Sequence, residues 1–454
     1  MRKTLEGFFA LTTAVLFAVT VNAQECAVCG GTAPETCSAC AAAADVSTGC
    51  AACGKSAVAC DACSANVGCA PAGICGLEYN GYINAGGMFN DHGQYYNVNH
   101  ANSTNELGFD GAYLSVLKKA QNGCGCMDWG FGADTMFGRD ARFFSSYTGW
   151  DSEWETGHNG DREKFNGMNL PKYQPESYGF AMPQLYGELS YNYWTFKGGR
   201  FYTLMGYEGA RADQRFFYSF GRNFEATPIT HSGALATYKG IENLELTTGW
   251  VAGENNMFER EYDESLITGG VKLHRGDQAS IKYAFLAGDG VISGTKGTLF
   301  RNDVVFEKKL NCCWDFAFMF NYGSLTDMDT HNYTLSPSAS YSDLLAIYPS
   351  EKFEYQTWAA YLYYTMNDCW KLGARFEWQK ATASVNKDNP IENGMEAFTM
   401  TYGAHWTPLC CDNFVVRPEI RYDTCTAGVF GDLSGKTDAL EDQLSLGFDV
   451  LYMF

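Results

Sequence analysis

Beyond its first twenty-odd residues the chain has no long apolar run. No later stretch approaches the roughly 18 consecutive apolar residues of a membrane-spanning helix, so helical spans are excluded there. Basic residues are scarce too: 32 Lys and Arg stand against 52 Asp and Glu, a formal charge of −20. Nucleic acid is therefore excluded as a partner, since its binding needs a concentrated basic patch. Histidine occurs only seven times, scattered without metal-ligand spacing. No metal and no cofactor are expected, and the acidic tracts "LTDMDT" and "NKDNP" read as solvated loops rather than calcium loops.

The sharpest absence is local. Residues 24–76 contain no Phe, Trp or Tyr. A segment without large apolar side chains cannot offset its ordering entropy by burial. What it has instead is ten cysteines: Cys26, Cys29, Cys37, Cys40, Cys50, Cys53, Cys60, Cys63, Cys69 and Cys75. The first eight form four Cys-x-x-Cys pairs, a spacing that suits zinc thiolates in the cytosol and disulfides in an oxidising compartment. The N-terminus weighs on that choice. Arg2 and Lys3 precede an apolar run from Phe8 to Val21, and "VNAQ" then sets small residues before a cut after Ala23. This reads as a secretory signal over residues 1–23, followed by a disulfide-linked or disordered segment at 24–76. No Leu-x-x-Cys pattern at the cut suggests a lipid anchor.

Abundance begins at Leu77. The chain carries 28 Tyr, 31 Phe and 49 Gly, a composition of sheet and turn. "CWKLGARFEWQKA" (Cys369–Ala381) puts Trp370, Leu372, Ala374, Phe376 and Trp378 on one face of an extended chain. Lys371, Arg375, Glu377 and Gln379 fall on the other. Segments of this kind recur between turn clusters, among them "WGFGADTMF", "WDFAFMFNYG", "FVVRPEIRY" and "QLSLGFDVLYMF". "LGFDGAYLSVL" is expected to show Leu107, Phe109, Tyr113 and Leu117 on one face. Residues 77–454 hold about sixteen such strands of roughly ten residues, an even count and the length of a tilted membrane strand.

The connections sort by length. After even-numbered strands they are short, as in "HRGDQ" and "LNCCW"; after odd-numbered ones they are long, as at 139–181 and 206–230. Short turns at one rim and long loops at the other mark an all-β, antiparallel, up-and-down transmembrane barrel ending on an aromatic, Phe454. On that reading Trp370, Phe376 and Trp378 face lipid. Lys371, Arg375, Glu377, Arg417, Glu419 and Arg421 face a wet lumen. Cys124, Cys126, Cys312, Cys313, Cys369, Cys410 and Cys411 fall at the short-turn, periplasmic rim, where the cysteine-rich segment also emerges. With that segment's ten they are the disulfide candidates. Cys425 alone falls at the opposite rim.

"GGRFYTLMGYEGARADQRFFYSFGRNFEATPITHSGALATY" closely resembles the signature of the OmpL-like β-barrel porin family, common in planctomycetes. The matching blocks are Gly199–Glu208, Phe216–Ser219 and Pro228–Gly233, and "MDWGFGADTMFGRDA" and "PQLYGELSY" are similar to earlier blocks. The resemblance implies an outer-membrane porin of unassigned solute. The cysteine-rich head and turn cysteines depart from that family's pattern. The long loop at 206–230 carries Glu208, Arg211, Asp213, Arg215 and Arg222, whose opposed charges would set a transverse field if the loop narrows the pore. Its plainer alternative is a surface loop packed on the rim.

His231 and Ser232 are adjacent on one strand and point to opposite faces, so no catalytic pairing and no enzyme activity is expected. Two readings remain. One is passive diffusion of small hydrophilic solutes through a barrel in outer-membrane lipid. The other is a structural or adhesin-like anchor, cross-linked through the cysteine-rich head into oligomers or to the cell wall. A lumen filled by side chains would favour the anchor.

Overall fold

A computed structural model of the chain describes residues 76–90, 106–121, 127–144, 162–165, 168–171, 178–258, 263–292, 295–328, 352–384, 393–408, 413–426 and 440–454. The expected signal, the segment at 24–75, and Cys124, Cys126, Cys410 and Cys411 lie outside the described residues.

The strands begin with β1 (Leu77–Asn90), β2 (Glu106–Lys118) and β3 (Met127–Gly138). A separate two-stranded ribbon, β4 (Arg162–Phe165) and β5 (Met168–Pro171), falls in the next connection. There follow β6 (Gly179–Tyr191), β7 (Trp194–Tyr202), β8 (Thr230–Ile241), β9 (Leu244–Val251), β10 (Ser265–Arg275) and β11 (Ala279–Ile292). The wall is completed by β12 (Thr295–Lys309), β13 (Trp314–Thr326), β14 (Lys352–Asn367), β15 (Trp370–Ser384), β16 (Asn393–Trp406), β17 (Phe414–Cys425) and β18 (Asp442–Met453). All but the ribbon join one closed antiparallel barrel of sixteen strands, with β3 beside β6 and β1 beside β18. Closure leaves no unpaired edge in the bilayer, where an orphan N–H or C=O costs several kcal/mol. Gly81 and Phe454 exchange two backbone hydrogen bonds of 3.0 Å at the seam.

Period-two patterning holds along most of the wall. On β15 Arg375, Glu377 and Gln379 are buried inside, while Trp370 and Leu372 are exposed outside. Trp370 stacks on Trp406 at 5.7 Å and Trp314 lies tilted against Tyr364 at 4.7 Å, an aromatic girdle near the short-turn rim. The short turns are where the spacing puts them, but one connection at the other rim, between Ile292 and Thr295, is also short.

β2 departs from its expected faces. Register shifts between Asn84 and Ala85, whose partners are Gly111 and Phe109, so Asp110 is an extra residue. This bulge reverses parity. Leu107 stays exposed outside, whereas Tyr113 turns in, buried and stacked on Tyr82 at 5.2 Å. The lumen is also less uniformly polar than expected: Leu266, Leu286, Leu299, Leu325 and Phe353 form a buried apolar cluster on the inner wall.

Candidate pore constriction

Tyr202 pairs with Thr230 as the last ladder step between β7 and β8. Thr203 N then donates to Ile229 O at 3.0 Å, closing a neck. The 25 residues between these two leave the wall as one long connection. They do not lie on the rim. Their hydrogen bonds reach Asn80 on β1, Asp110 on β2, Lys282 on β11, Asp303 and Arg301 on β12, and residues of β14, β15, β16 and β17. Contacts on so many strands are possible only from inside the barrel. The segment crosses the bore.

Each charge placed here from the sequence has a definite position. Glu208 Oε1 meets Arg375 Nη1 at 2.6 Å, and Glu208 Oε2 accepts from Gly221 N at 2.8 Å. Arg211 pairs with Asp213 at 2.7 Å, donates to Asn80 Oδ1 at 2.7 Å and lies over the Tyr113 ring. Arg222 reaches Asp423 at 3.1 Å and Thr399 Oγ1 at 2.7 Å. Arg215 is 4 % exposed, and none of its three guanidinium nitrogens has a hydrogen-bond acceptor among the described residues. It lies on the Phe220 ring, 3.7 Å from the centroid.

The wall supplies matching groups. Arg375 also pairs with Glu377 at 3.0 Å and donates to Ser219 O at 3.0 Å and Phe220 O at 3.3 Å. Arg417 holds Asp449 and donates to Ala212 O at 2.7 Å. Glu419 accepts from Ser219 N at 3.1 Å, and Arg421 pairs with Asp423 at 2.8 Å while donating to Phe220 O at 2.7 Å. Lys371 stands apart, exposed at the rim. Aromatic packing completes the fit. Phe216 stacks on His405 at 4.1 Å above Gly373, where a Cβ would meet the Phe216 ring at 2.3 Å.

Two expectations need correction. The charges do not form an open transverse field: apart from Arg215 they are neutralised in pairs. Nor is the lumen wet at this level. Arg375, Arg417 and Arg421 are no more than 1 % exposed, because the segment covers them. Every barrel strand turns at least one buried residue inward, and Gly206 and Tyr207 meet Met319 and Tyr361 without room for a water molecule.

The partners Asp423 and Asp449 were missed, although both share the inward parity of Arg417 and Arg421 or of the paired strand β18. Asp110, Arg139, Asp303 and Arg301 were missed as well. Strand parity flags the last two, and Asp110 as well, since it alternates with Leu107 and Phe109 ahead of the bulge. His231 Nδ1 donates to Gly253 O at 2.8 Å and its Nε2 meets Thr203 Oγ1 at 3.1 Å, while Ser232 donates to Asn256 O at 2.7 Å. The two are tied to separate partners at the neck. Among the turn cysteines, Cys312 is exposed with a free thiol, its sulfur 3.5 Å from that of Cys313, well beyond a disulfide bond. Cys312 is therefore no disulfide partner here.

A search of curated proteins returns no match. Among solved structures, an OmpT loop-L8 deletion mutant of Vibrio cholerae is similar at 12% identity and TM-score 0.49, covering 83% of this chain and 99% of that one. The outer-membrane channel DcaP of Acinetobacter baumannii is similar at 10% identity and TM-score 0.47, covering 83% and 97%. An anion-selective porin from Comamonas acidovorans is similar at 10% and 0.49, covering 83% and 99%. The sequence of residues 76–454 matches the family "Putative beta-barrel porin-2, OmpL-like". With sixteen strands closed and a charged segment held across the bore, the chain belongs to this family of outer-membrane β-barrel porins.

Proposed function

We propose that this porin conducts small hydrophilic solutes by passive diffusion, with the 203–229 segment as its narrowest point. The observation that carries the reading is the segment itself, a charged element held inside a sixteen-strand barrel by Glu208–Arg375 and Arg222–Asp423. Charged and polar groups at a constriction favour hydrated polar solutes over apolar ones. The reading has no catalytic step, in keeping with the separate partners of His231 and Ser232. Planar-bilayer conductance and liposome swelling with sugars of graded size test it. Conductance with a size cut-off is expected; purified, folded protein that leaves the bilayer tight would refute it.

The buried lumen face favours the second reading, an anchor in outer-membrane lipid that assembles with itself or contacts the cell wall. Cross-linking at the periplasmic rim belongs to that reading. Cys369, whose carbonyl accepts from Thr407 N at 2.9 Å at the short-turn rim, is the cysteine such a cross-link would use there. Peptide mapping without reduction tests that link.

A further inference from the structure

We propose that residues 204–228 are a displaceable gate, seen here in its closed position, and that the unpaired Arg215 biases it towards opening. The proposal rests on the porin reading. Solute must pass a level at which the segment touches most of the wall, and that requires the segment to move.

Its construction suits movement as a unit. The neck bond from Thr203 to Ile229 sits directly on the β7–β8 ladder, so the segment can leave the bore without breaking a wall strand pair. Gly206, just past the neck, has φ +89°, and a Cβ there would meet nothing nearer than Thr227 Oγ1 at 3.7 Å. A pivot here has both backbone freedom and space once the bonds from Gly206 N to Asp303 and from Lys282 to Gly206 O are broken. The attachments are side-chain hydrogen bonds and ion pairs rather than strand ladders, among them Glu208–Arg375 at 2.6 Å, Arg222–Asp423 at 3.1 Å, and the bonds from Arg417 to Ala212 O and from Arg421 to Phe220 O.

Arg215 works against them. A buried guanidinium without an acceptor gives up its hydration with no compensating hydrogen bond. Burial is the largest cost to its charge; Asp140 attracts it, and the like charge of Arg417 opposes that attraction. Displacement returns Arg215 to lumen water. Two charged residues of one segment therefore push the equilibrium in opposite directions: Glu208 closes, Arg215 opens.

The test compares single-channel records of the full chain and four variants in planar bilayers, each first shown to be folded by its heat-modifiable gel mobility. Arg215→Met is expected to lower the open fraction about tenfold, the effect of about 1.4 kcal/mol. Arg215→Lys, which keeps the unpaired charge, should stay near the parent. Glu208→Gln should raise the open fraction several-fold. Replacing residues 206–227 by a short Gly-Ser turn should give a continuously open channel. Equal open fractions for Arg215→Met and the parent, or a shift of the same sign in Glu208→Gln, would overturn the gate. Failure of Arg215→Met to fold would also count against it, because removing an unpaired buried charge should stabilise the closed form. A folded loop-replacement variant that does not conduct would instead overturn the porin reading.

Discussion

Arg375→Met removes the group that joins the segment to the wall at most points. The guanidinium lies between Glu208 at 2.6 Å and Glu377 at 3.0 Å and also holds Ser219 O, Ser219 Oγ, Phe220 O and Thr401 Oγ1. Methionine fills similar space but leaves two buried carboxylates, with Glu208 8 % and Glu377 1 % exposed at the side chain. Breaking a buried pair from one side costs about 3–5 kcal/mol, because the abandoned charge stays buried. The barrel ladder is untouched, so this cost should fall on the segment alone. The assay is amide hydrogen exchange, in which Gly221 N, bonded to Glu208, and Asn223 N, bonded to Glu377, report local opening. Protection at both should drop by two or more orders of magnitude while strand amides stay protected. Adding Glu208→Gln should restore part of it, with a coupling of about 1–2 kcal/mol. Additivity within about 0.5 kcal/mol would refute the pairing as the anchor.

Glu264, in the connection before β10, is pushed up to about 7 by burial, against an ordinary value of 4.5, despite a 2.8 Å hydrogen bond from Asn256. A raised carboxylate pKa gives stability that is full below 4.5 and lost as pH rises through about 7. The melting temperature should therefore fall over that window, and Glu264→Gln should flatten the fall. At the seam, a Cβ on Gly81 would collide with the Tyr113 backbone carbonyl on β2 and sit 2.7 Å from the Phe454 ring, so Gly81→Val should strain the β1–β2 ladder, displace that ring and slow barrel assembly, measured as the rate of appearance of the heat-modifiable band. Cys312 should react with a membrane-impermeant maleimide without prior reduction; a disulfide found there by mass spectrometry would contradict the free thiol.

The barrel was legible because its determinants are local. Alternation along β15 and the turn clusters each depend on a few neighbouring residues and on the two-residue period of an extended chain. That was enough for strand number, antiparallel order and the lumen side of Arg375, Glu377, Arg417 and Arg421. The face of Tyr113 was not legible, because a one-residue bulge at Asp110 is set by register against β1 rather than by pattern. The segment was recognised as charged, but its sequence is equally compatible with a rim loop. Only the tertiary structure decided that it enters the bore, since Glu208 and Arg375 are 167 residues apart and Arg222 and Asp423 are 201. Nothing within a local window encodes such a pairing: it exists once barrel closure has fixed which strands face each other, and the same closure leaves Arg215 buried without a hydrogen-bond acceptor among the described residues.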